Sequence, residues 1–211
     1  MKDIIEILFV IDVSGSMYGQ KIASVNAAIT ECLAELKALG HSEYFDIVVS
    51  IAAFDEKMRL YQLNEKIENI EAPNIQVKKK ADGFYPVTSF RCLYRGLKYL
   101  FDNHKTDDGN QGKNTIIILL SDAKPIDEQE YEQDWEILKS CPNYKNALKY
   151  VVFTEEKQDK FNRNTVKFVD YKADNIIRTD FLTEEISKLQ RTFFANFFNQ
   201  EDNARYDRIF V

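Results

Sequence analysis

Short apolar runs alternate with amphipathic segments along most of the chain. Residues 4–11 form an apolar run rich in β-branched side chains, which predicts a buried strand. Apolar residues then recur at helical spacing between positions 22 and 36, and this predicts a helix that Gly40 ends. Residues 46–54 and 57–63 are typical of two strands, and because only two residues separate them we expect an antiparallel hairpin.

The second half of the chain continues this alternation. A helical stripe of apolar residues at positions 93–101 precedes residues 115–121, a continuous apolar run typical of a strand that is covered on both faces. An acidic helix is predicted around residues 128–139. The remaining predicted elements are strands at residues 148–153 and 166–169 and a last helix from Thr183 to about Phe198.

The order of these elements predicts the fold class. Strands that alternate with helices are joined by right-handed crossovers, which predicts a doubly wound, mostly parallel α/β sheet of the Rossmann-like kind. The hairpin adds one antiparallel edge strand, and helices are expected on both faces. Because no repeat or low-complexity linker interrupts the pattern, we expect one domain over residues 1–198 and a short C-terminal tail over residues 199–211.

Charge and cysteine usage narrow the class of protein. The 211 residues carry a net charge of −6, which argues against a nucleic-acid-binding domain, since such a domain normally has a basic surface. No apolar run approaches the roughly 20 residues that span a bilayer, and the first strand begins too close to Met1 for a signal peptide. Three widely spaced cysteines favour free thiols in a reducing compartment. We therefore expect a cytoplasmic protein that binds neither nucleic acid nor membrane.

The stretch ILFVIDVSGSMYG places oxygen-bearing side chains directly after the first strand. Asp12, Ser14 and Ser16 occupy alternate positions, and alternation along an extended chain points them to one side. Gly15 lets the backbone bend there without a Cβ clash. A polar turn that caps the next helix would by itself explain these residues. Ligands of doubly wound sheets, however, bind beyond the carboxyl ends of the strands, where Asp12 lies.

Two further oxygen groups occur where neighbouring loops are expected to meet that end of the sheet. Thr88 lies just before the predicted second helix, and Asp122 directly follows the strand at residues 115–121. Together the five residues offer two carboxylates and three hydroxyls. This all-oxygen set suits Mg²⁺, and Mn²⁺ would also fit. Because no residue is placed as a nucleophile or a base, we expect no catalytic residue and no organic cofactor.

The motifs DVSGSM, VTS and SDAKPID resemble those of the von Willebrand factor type A domain and its metal-ion-dependent adhesion site, over roughly residues 3–198. Within that family the chain is most similar to the bacterial single-domain proteins associated with tellurium resistance. The resemblance implies that Ser14, Ser16 and Thr88 bind the metal directly. It also implies that Asp12 and Asp122 bind it directly or through water.

The resemblance further implies a function. It predicts a non-enzymatic adaptor or scaffold in a bacterial stress-resistance or defence system, with phosphatase or kinase-like proteins among its partners. A partner protein would supply an Asp or Glu that completes the metal coordination. The chain departs from the family pattern at Pro86-Val87, where glycines are usual, and at Ala123, which replaces a glycine. Neither departure removes a ligand.

Two other functions fit parts of the sequence. A Mg²⁺-dependent phosphatase of the haloacid dehalogenase type also has an aspartate after its first strand, and Asp122, Asp127 and Lys113 resemble its remaining groups. Such an enzyme needs an acid-base aspartate two residues after the nucleophile, and Ser14 occupies that position. The other alternative is a structural interaction module with a vestigial metal site, which would bind partners through the acidic residues 127–136 or through the tail.

Overall fold

Six strands form one sheet in the computed structural model of the chain, which describes residues 2–39, 45–103, 114–122, 127, 131–154, 163–179 and 182–201. The strands are β1 (Asp3–Asp12), β2 (Phe45–Phe54), β3 (Met58–Lys66), β4 (Thr115–Ser121), β5 (Leu148–Phe153) and β6 (Ile176–Arg178). Their order is β3-β2-β1-β4-β5-β6, and only the β2–β3 pair is antiparallel among these strands. The predicted fold class is confirmed.

Helices cover both faces of this sheet. They are α1 (Gln20–Leu39), α2 (Phe90–Asn103), α3 (Glu132–Lys139), α4 (Pro142–Asn146), α5 (Arg163–Phe168) and α6 (Leu182–Glu201). α1 and α6 pack together on one face, whereas α2 and α3 pack together on the other. Within the described ranges, no helix combines the length and apolar character needed to cross a membrane.

β1 is a central strand whose side chains enter the hydrophobic cores on both faces of the sheet. Ile7, Phe9 and Ile11 belong to the core under α1 and α6. Leu8 and Val10 belong to the core under α2 and α3. Successive side chains of a strand point to opposite faces, so a strand that is covered on both faces needs an uninterrupted apolar run. This explains the absence of polar alternation over most of β1.

The reversal of strand order at β1 positions the candidate site. The chain passes from β1 to β2 on one side and later crosses to β4 on the other side. Loops that leave neighbouring strands in opposite directions open a crevice at the carboxyl end of the sheet. Asp12 ends β1 and Asp122 follows β4, so both carboxylates lie at this crevice.

A long connection brings Thr88 to the same crevice. Residues 67–89 join the edge strand β3 to α2. Ile67 and Ile75 anchor this connection in the core under α1. Asn26 of α1 fixes it further, because its Nδ2 donates to the carbonyl oxygen of Ile75 at 2.8 Å and its Oδ1 accepts from the Ile75 amide at 3.0 Å. The connection is therefore anchored well before it reaches the site.

The prediction of a strand at residues 166–169 is wrong. These residues lie in the last part of α5 and the turn after it. The run VKFV contains two valines and a phenylalanine, which are typical of strands, but the buried side chains of this segment are Thr165, Phe168 and Val169. Their spacing of three and four residues is helical. The sixth strand is instead β6, whose three residues give too short a pattern to predict, and α4 was not predicted either.

The other boundaries agree with the prediction to within a few residues. α3 begins at Glu132 rather than near position 128, and residues 128–130 lie outside the described part of the chain. α6 continues to Glu201, three residues beyond its predicted end. Gly40 and residues 202–211 also lie outside the described part. The three cysteines are free, as their spacing predicts.

Candidate metal site

Asp12 lies at the base of the crevice and is fully buried. Its carboxylate accepts hydrogen bonds from three residues. The amide of Ser14 donates to Oδ1 at 2.9 Å, and the hydroxyls of Thr88 and Ser121 donate to Oδ2 at 3.2 Å and 2.6 Å. The bond from Ser14 is an Asx turn that bends the chain as it leaves β1. One carboxylate therefore joins the first loop, the Thr88 loop and the end of β4.

A chain of hydroxyl contacts connects this loop to the second carboxylate. Ser14 Oγ lies 3.1 Å from Ser16 Oγ, and Ser16 Oγ donates to Asp122 Oδ1 at 2.9 Å. Ser14 and Asp122 are buried, whereas Ser16 is exposed at the mouth of the crevice. Since Thr88 contacts Asp12, the structure brings all five predicted residues into one hydrogen-bonded cluster.

A lysine at the start of α1 contributes to the electrostatics of the cluster. Lys21 Nζ lies 3.1 Å from Asp122 Oδ2, and its side chain is 20% exposed against 0% for the carboxylate. A buried carboxylate is costly unless a positive charge or hydrogen bonds compensate it. The ammonium group of Lys21 therefore neutralises one of the two buried carboxylates from within the protein.

The Thr88 loop packs directly against the first loop. The amide of Gly15 donates to the carbonyl oxygen of Pro86 at 2.8 Å. A Cβ atom at Gly15 would lie 2.6 Å from the Cβ of Tyr85, so only glycine permits this close approach. Pro86 restricts the backbone next to this contact. The contact holds Thr88, two residues later, within reach of Asp12.

Asp127 ties the start of α2 to the loop that follows β4. Its Oδ2 accepts from Ser89 Oγ at 2.6 Å and from the Arg91 amide at 2.9 Å, and its Oδ1 accepts from the Phe90 amide at 3.0 Å. Ser89 Oγ also accepts from the Cys92 amide at 3.1 Å, which is the usual N-cap bond of a helix. Two side chains thus satisfy the first amides of α2.

Replacing Asp127 by asparagine is expected to loosen the metal site. Thr88 directly precedes Ser89, and the bonds from Asp127 to Ser89 and to the first amides of α2 fix the end of the Thr88 loop. An amide offers one acceptor oxygen where the carboxylate offers two, and the lost cap costs about 1 kcal/mol of folding stability. We expect denaturant unfolding to report this cost and Mn²⁺ titration to show a severalfold loss of affinity.

Asp134→Asn is the control, because Asp134 pairs with Arg91 and Arg95 away from the cluster. Unchanged affinity in Asp127→Asn would contradict a positioning role.

Burial raises the pKa of Asp12 to about 6 from its ordinary 3.8. Hydrogen bonds from Ser121 and Ser14 lower this pKa, and the negative charge of Asp122 raises it further. The carboxylate is therefore poorly stabilised in its charged form by the protein alone. A positive ion beside it would favour the charged form, so the electrostatics of the cluster suit a cation.

The donor chemistry of the cluster fits a hard divalent cation. Carboxylate and hydroxyl oxygens are hard ligands, which Mg²⁺ and Mn²⁺ prefer. Across the described part of the chain there is no group of three or more His, Cys, Asp and Glu side chains that could hold a metal. The candidate set therefore depends on its hydroxyls, which distinguishes it from a site rich in imidazole or thiolate.

Sequence reasoning missed the roles of three residues that shape the cluster. Ser121 ends an apolar strand and gives no sign of a role except that it directly precedes Asp122. Lys21 stands nine residues after Asp12, where only the fold shows that it turns back to the second carboxylate. Asp127 was noted as an acid of the phosphatase alternative, but its carboxylate caps α2 instead.

Comparison with known proteins supports the fold. No protein-family model matches the chain. The inter-alpha-trypsin inhibitor heavy chain H6 from Homo sapiens is 27% identical over 128 residues, which is 56% of this chain and only 9% of that protein. The chain thus spans a small part of this relative.

Several solved structures share the architecture. A von Willebrand factor type A protein from Catenulispora acidiphila has a TM-score of 0.58 at 16% identity, over 89% of this chain and 42% of that chain. The proximal thread matrix protein 1 of the mussel byssus, with a zinc-occupied MIDAS motif, has a TM-score of 0.57 at 15% identity, over 91% and 47%. A pilus adhesin from Lactobacillus rhamnosus GG has a TM-score of 0.63 at 12% identity, over 93% and 31%. The chain therefore has the von Willebrand factor A fold and spans less than half of these structures.

Proposed function

We propose that the chain is a von Willebrand factor type A domain that binds protein partners through a divalent metal ion. Asp12, Ser14, Ser16, Thr88 and Asp122 would hold the ion. The observation that carries the proposal is their convergence from three loops into one hydrogen-bonded cluster at the carboxyl end of the sheet. The zinc-occupied motif of the mussel protein supports a divalent metal on this fold.

Charge and donor type favour Mg²⁺ as the ion. Mg²⁺ prefers oxygen ligands and keeps part of its hydration shell, and Mn²⁺ accepts similar ligands. Three of the five donors are neutral hydroxyls, and Lys21 already offsets the charge of Asp122. The set is therefore short of negative charge. An Asp or Glu side chain of a partner would supply the missing anionic ligand.

The same geometry disfavours a phosphatase. Ser14 stands where the acid-base aspartate of that mechanism would be required, and a serine hydroxyl cannot perform that proton transfer near neutral pH. Asp127 is engaged by the first amides of α2. Release of phosphate from an aryl phosphate, lost on Asp12→Asn, would overturn this part of the proposal.

The proposed setting is cytoplasmic, in a bacterial stress-resistance or defence system, with phosphatase or kinase-like proteins among the partners. The support for this setting is the resemblance of the DVSGSM, VTS and SDAKPID motifs to the tellurium-resistance-associated proteins. In that setting the domain would act as an adaptor or scaffold.

Removal of the Lys21 charge is expected to tighten metal binding. The ammonium group lies 3.1 Å from Asp122 Oδ2, so it opposes any other cation at the cluster. We expect Lys21→Met to raise Mn²⁺ affinity by about threefold to tenfold at low salt, and less at high salt because ions screen the repulsion. Lys37→Met, in the last turn of α1, serves as the control. Equal or weaker Mn²⁺ binding by Lys21→Met would contradict a repulsive role.

Affinity capture from native lysate tests the proposed function. The tagged chain is used in millimolar Mg²⁺, in EDTA, and as Asp12→Ala, and bound proteins are identified by mass spectrometry. We expect a partner that only the wild-type chain retains in Mg²⁺. A partner retained in all three conditions would support the vestigial-site alternative, with binding through residues 127–136 or the tail.

A further inference from the structure

We propose that an aromatic and basic rim beside the metal site selects partners in which the metal-binding Asp or Glu neighbours a large apolar residue. The rim consists of Tyr18, Lys79, Phe84 and Tyr85. This inference rests on the proposed function, since it names the chemistry of the partner at the same site.

Two tyrosines form the part of the rim that adjoins the metal ligands. The rings of Tyr18 and Tyr85 lie 5.0 Å apart between centroids, with an angle of 43° between their planes. Tyr18 follows Ser16 by two residues, and the residue is 61% exposed. Tyr85 is fixed by the close packing of its Cβ against Gly15. The pair is therefore an ordered apolar surface next to the crevice.

Phe84 directly precedes Tyr85 and is presented by a hydrogen-bonded turn. The Lys80 amide donates to the carbonyl oxygen of Phe84 at 2.7 Å, the Gly83 amide donates to that of Lys80 at 3.0 Å, and the Phe84 amide donates to Asp82 Oδ1 at 2.9 Å. Gly83 has a φ of +84°, which glycine adopts at little cost. Phe84 remains 70% exposed despite this well-bonded turn. Phe84 therefore offers exposed apolar surface on a hydrogen-bonded turn directly before Tyr85.

The charge of the rim suits an acidic partner. Lys78, Lys79 and Lys80 are consecutive exposed lysines in a chain whose net charge is −6. Lys79 Nζ lies 5.2 Å from the ring centroid of Tyr85, and Lys80 forms an ion pair with Glu56 at 3.2 Å. The lysine segment therefore adjoins the tyrosine pair through the contact of Lys79 with Tyr85.

These observations predict the chemistry of the partner segment that would bind at the rim. The rim is continuous with the metal site through Gly15, whose amide bonds Pro86 and whose α-carbon faces Tyr85. A segment whose Asp or Glu reaches the metal would therefore place its neighbouring side chain on the tyrosine pair or on Phe84. A large apolar side chain there buries aromatic surface, and further acidic residues would approach the lysines.

Selection from a display library of random twelve-residue peptides tests the inference on the full chain. Peptides are bound in millimolar Mg²⁺ and released with EDTA. We expect the enriched peptides to carry Asp or Glu within two residues of Trp, Phe, Tyr, Leu, Ile or Met. The affinity of the strongest peptide is then measured by fluorescence anisotropy, and we expect Phe84→Ala and Tyr18→Ala each to weaken it by about tenfold.

Matched controls distinguish the effect of removing a rim residue from the effect of removing any exposed aromatic side chain. Tyr99→Ala is the control for Phe84→Ala, because Tyr99 is 69% exposed on α2, and Tyr171→Ala is the control for Tyr18→Ala, because both tyrosines are 61% exposed. We expect both controls to bind the peptide as the wild type does. Mn²⁺ binding is measured for every variant and is expected to match the wild-type value.

The outcomes distinguish this inference from the function on which it rests. If Mn²⁺ binds normally but EDTA-released peptides show no apolar preference, or the rim variants bind as the wild type does, the inference is wrong and the metal site stands. Absence of any EDTA-released peptide despite normal Mn²⁺ binding has the same meaning. If Mn²⁺ does not bind the wild-type chain, the proposed function itself fails.

Discussion

Asp12→Asn is expected to stabilise the metal-free protein at pH 7.5 by up to about 3 kcal/mol. Burial raises the pKa of Asp12 to about 6, so the folded state carries the cost of charging this carboxyl near neutral pH. Asparagine is uncharged and nearly the same size. Its oxygen can accept from the Ser14 amide, and its nitrogen can donate to the hydroxyls of Thr88 and Ser121, which rotate to accept.

The stabilisation is expected to disappear in acid. The carboxyl titrates at about 6 in the folded state against an ordinary value of 3.8, so between these values the folded state binds more protons than the unfolded state. Stability of the wild type therefore falls as pH rises through this window, and the cost is absent below it. Denaturant unfolding in EDTA at pH 7.5 and near pH 4 measures the change. Asp46→Asn, at an exposed carboxylate paired with Lys2, is the control.

The same substitution is expected to reduce metal affinity by about a hundredfold or more. Disturbing an outer-shell partner of a metal costs roughly tenfold to hundredfold in affinity, and we expect the loss of a carboxylate at the site itself to cost more. Calorimetric titration of Mg²⁺ into both proteins measures this effect. Greater stability together with lost metal binding would show that Asp12 is kept for function at the expense of folding. Lower stability than the wild type in EDTA at pH 7.5 would contradict this interpretation.

Gly15→Ala is expected to separate the two loops that carry the hydroxyl ligands. Its Cβ would lie 2.6 Å from the Cβ of Tyr85 and 3.3 Å from its Cγ, so backbone must shift rather than a flexible side-chain end. Gly15 is not among the residues with positive φ, so this clash is the cause of the effect. We expect a loss of about 1–3 kcal/mol in folding stability. A tenfold weaker Mn²⁺ affinity is expected as well, roughly what a misplaced supporting group costs.

Gly96→Ala provides the matched comparison for this variant. A Cβ at Gly96 would meet Met58 Sδ at 2.3 Å and Cε at 2.6 Å, atoms near the end of a flexible side chain on β3. We expect Gly96→Ala to change stability and to leave Mn²⁺ affinity at the wild-type value. If Gly15→Ala also retained full affinity, the close contact between Gly15 and Tyr85 would have no part in arranging the ligands.

The sequence predicted the central part of the fold because its strands are buried on both faces. β4 was predicted to the residue, since all seven of its residues are buried and the five between Thr115 and Ser121 form a continuous apolar run. The error at residues 166–169 has the opposite cause. A four-residue run with valine and phenylalanine does not distinguish a strand from a short helix. The buried residues Thr165, Phe168 and Val169 have the three- and four-residue spacing of a helix. β6 was missed because its three residues carry no periodicity.

The candidate ligands were predictable from motif and position, whereas their surroundings were not. Asp12, Thr88 and Asp122 each follow or precede a recognisable element, and parallel strands bring their carboxyl ends together. The contacts of Lys21 and Asp127 span roughly a hundred and nearly forty positions, respectively, in this sequence. Such long-range pairs depend on the packing of whole helices, which no local pattern encodes.

Titration of Mg²⁺ into the wild-type chain and into Thr88→Ala by isothermal calorimetry at pH 7.5 tests the metal site most directly. Thr88 comes from a different loop than Asp12 and is contributed by the long connection after β3. We expect a single site in the wild type and a clearly weaker site, or none, in Thr88→Ala. Absence of binding by the wild type, or equal binding by the two proteins, would contradict a metal site built from these three loops.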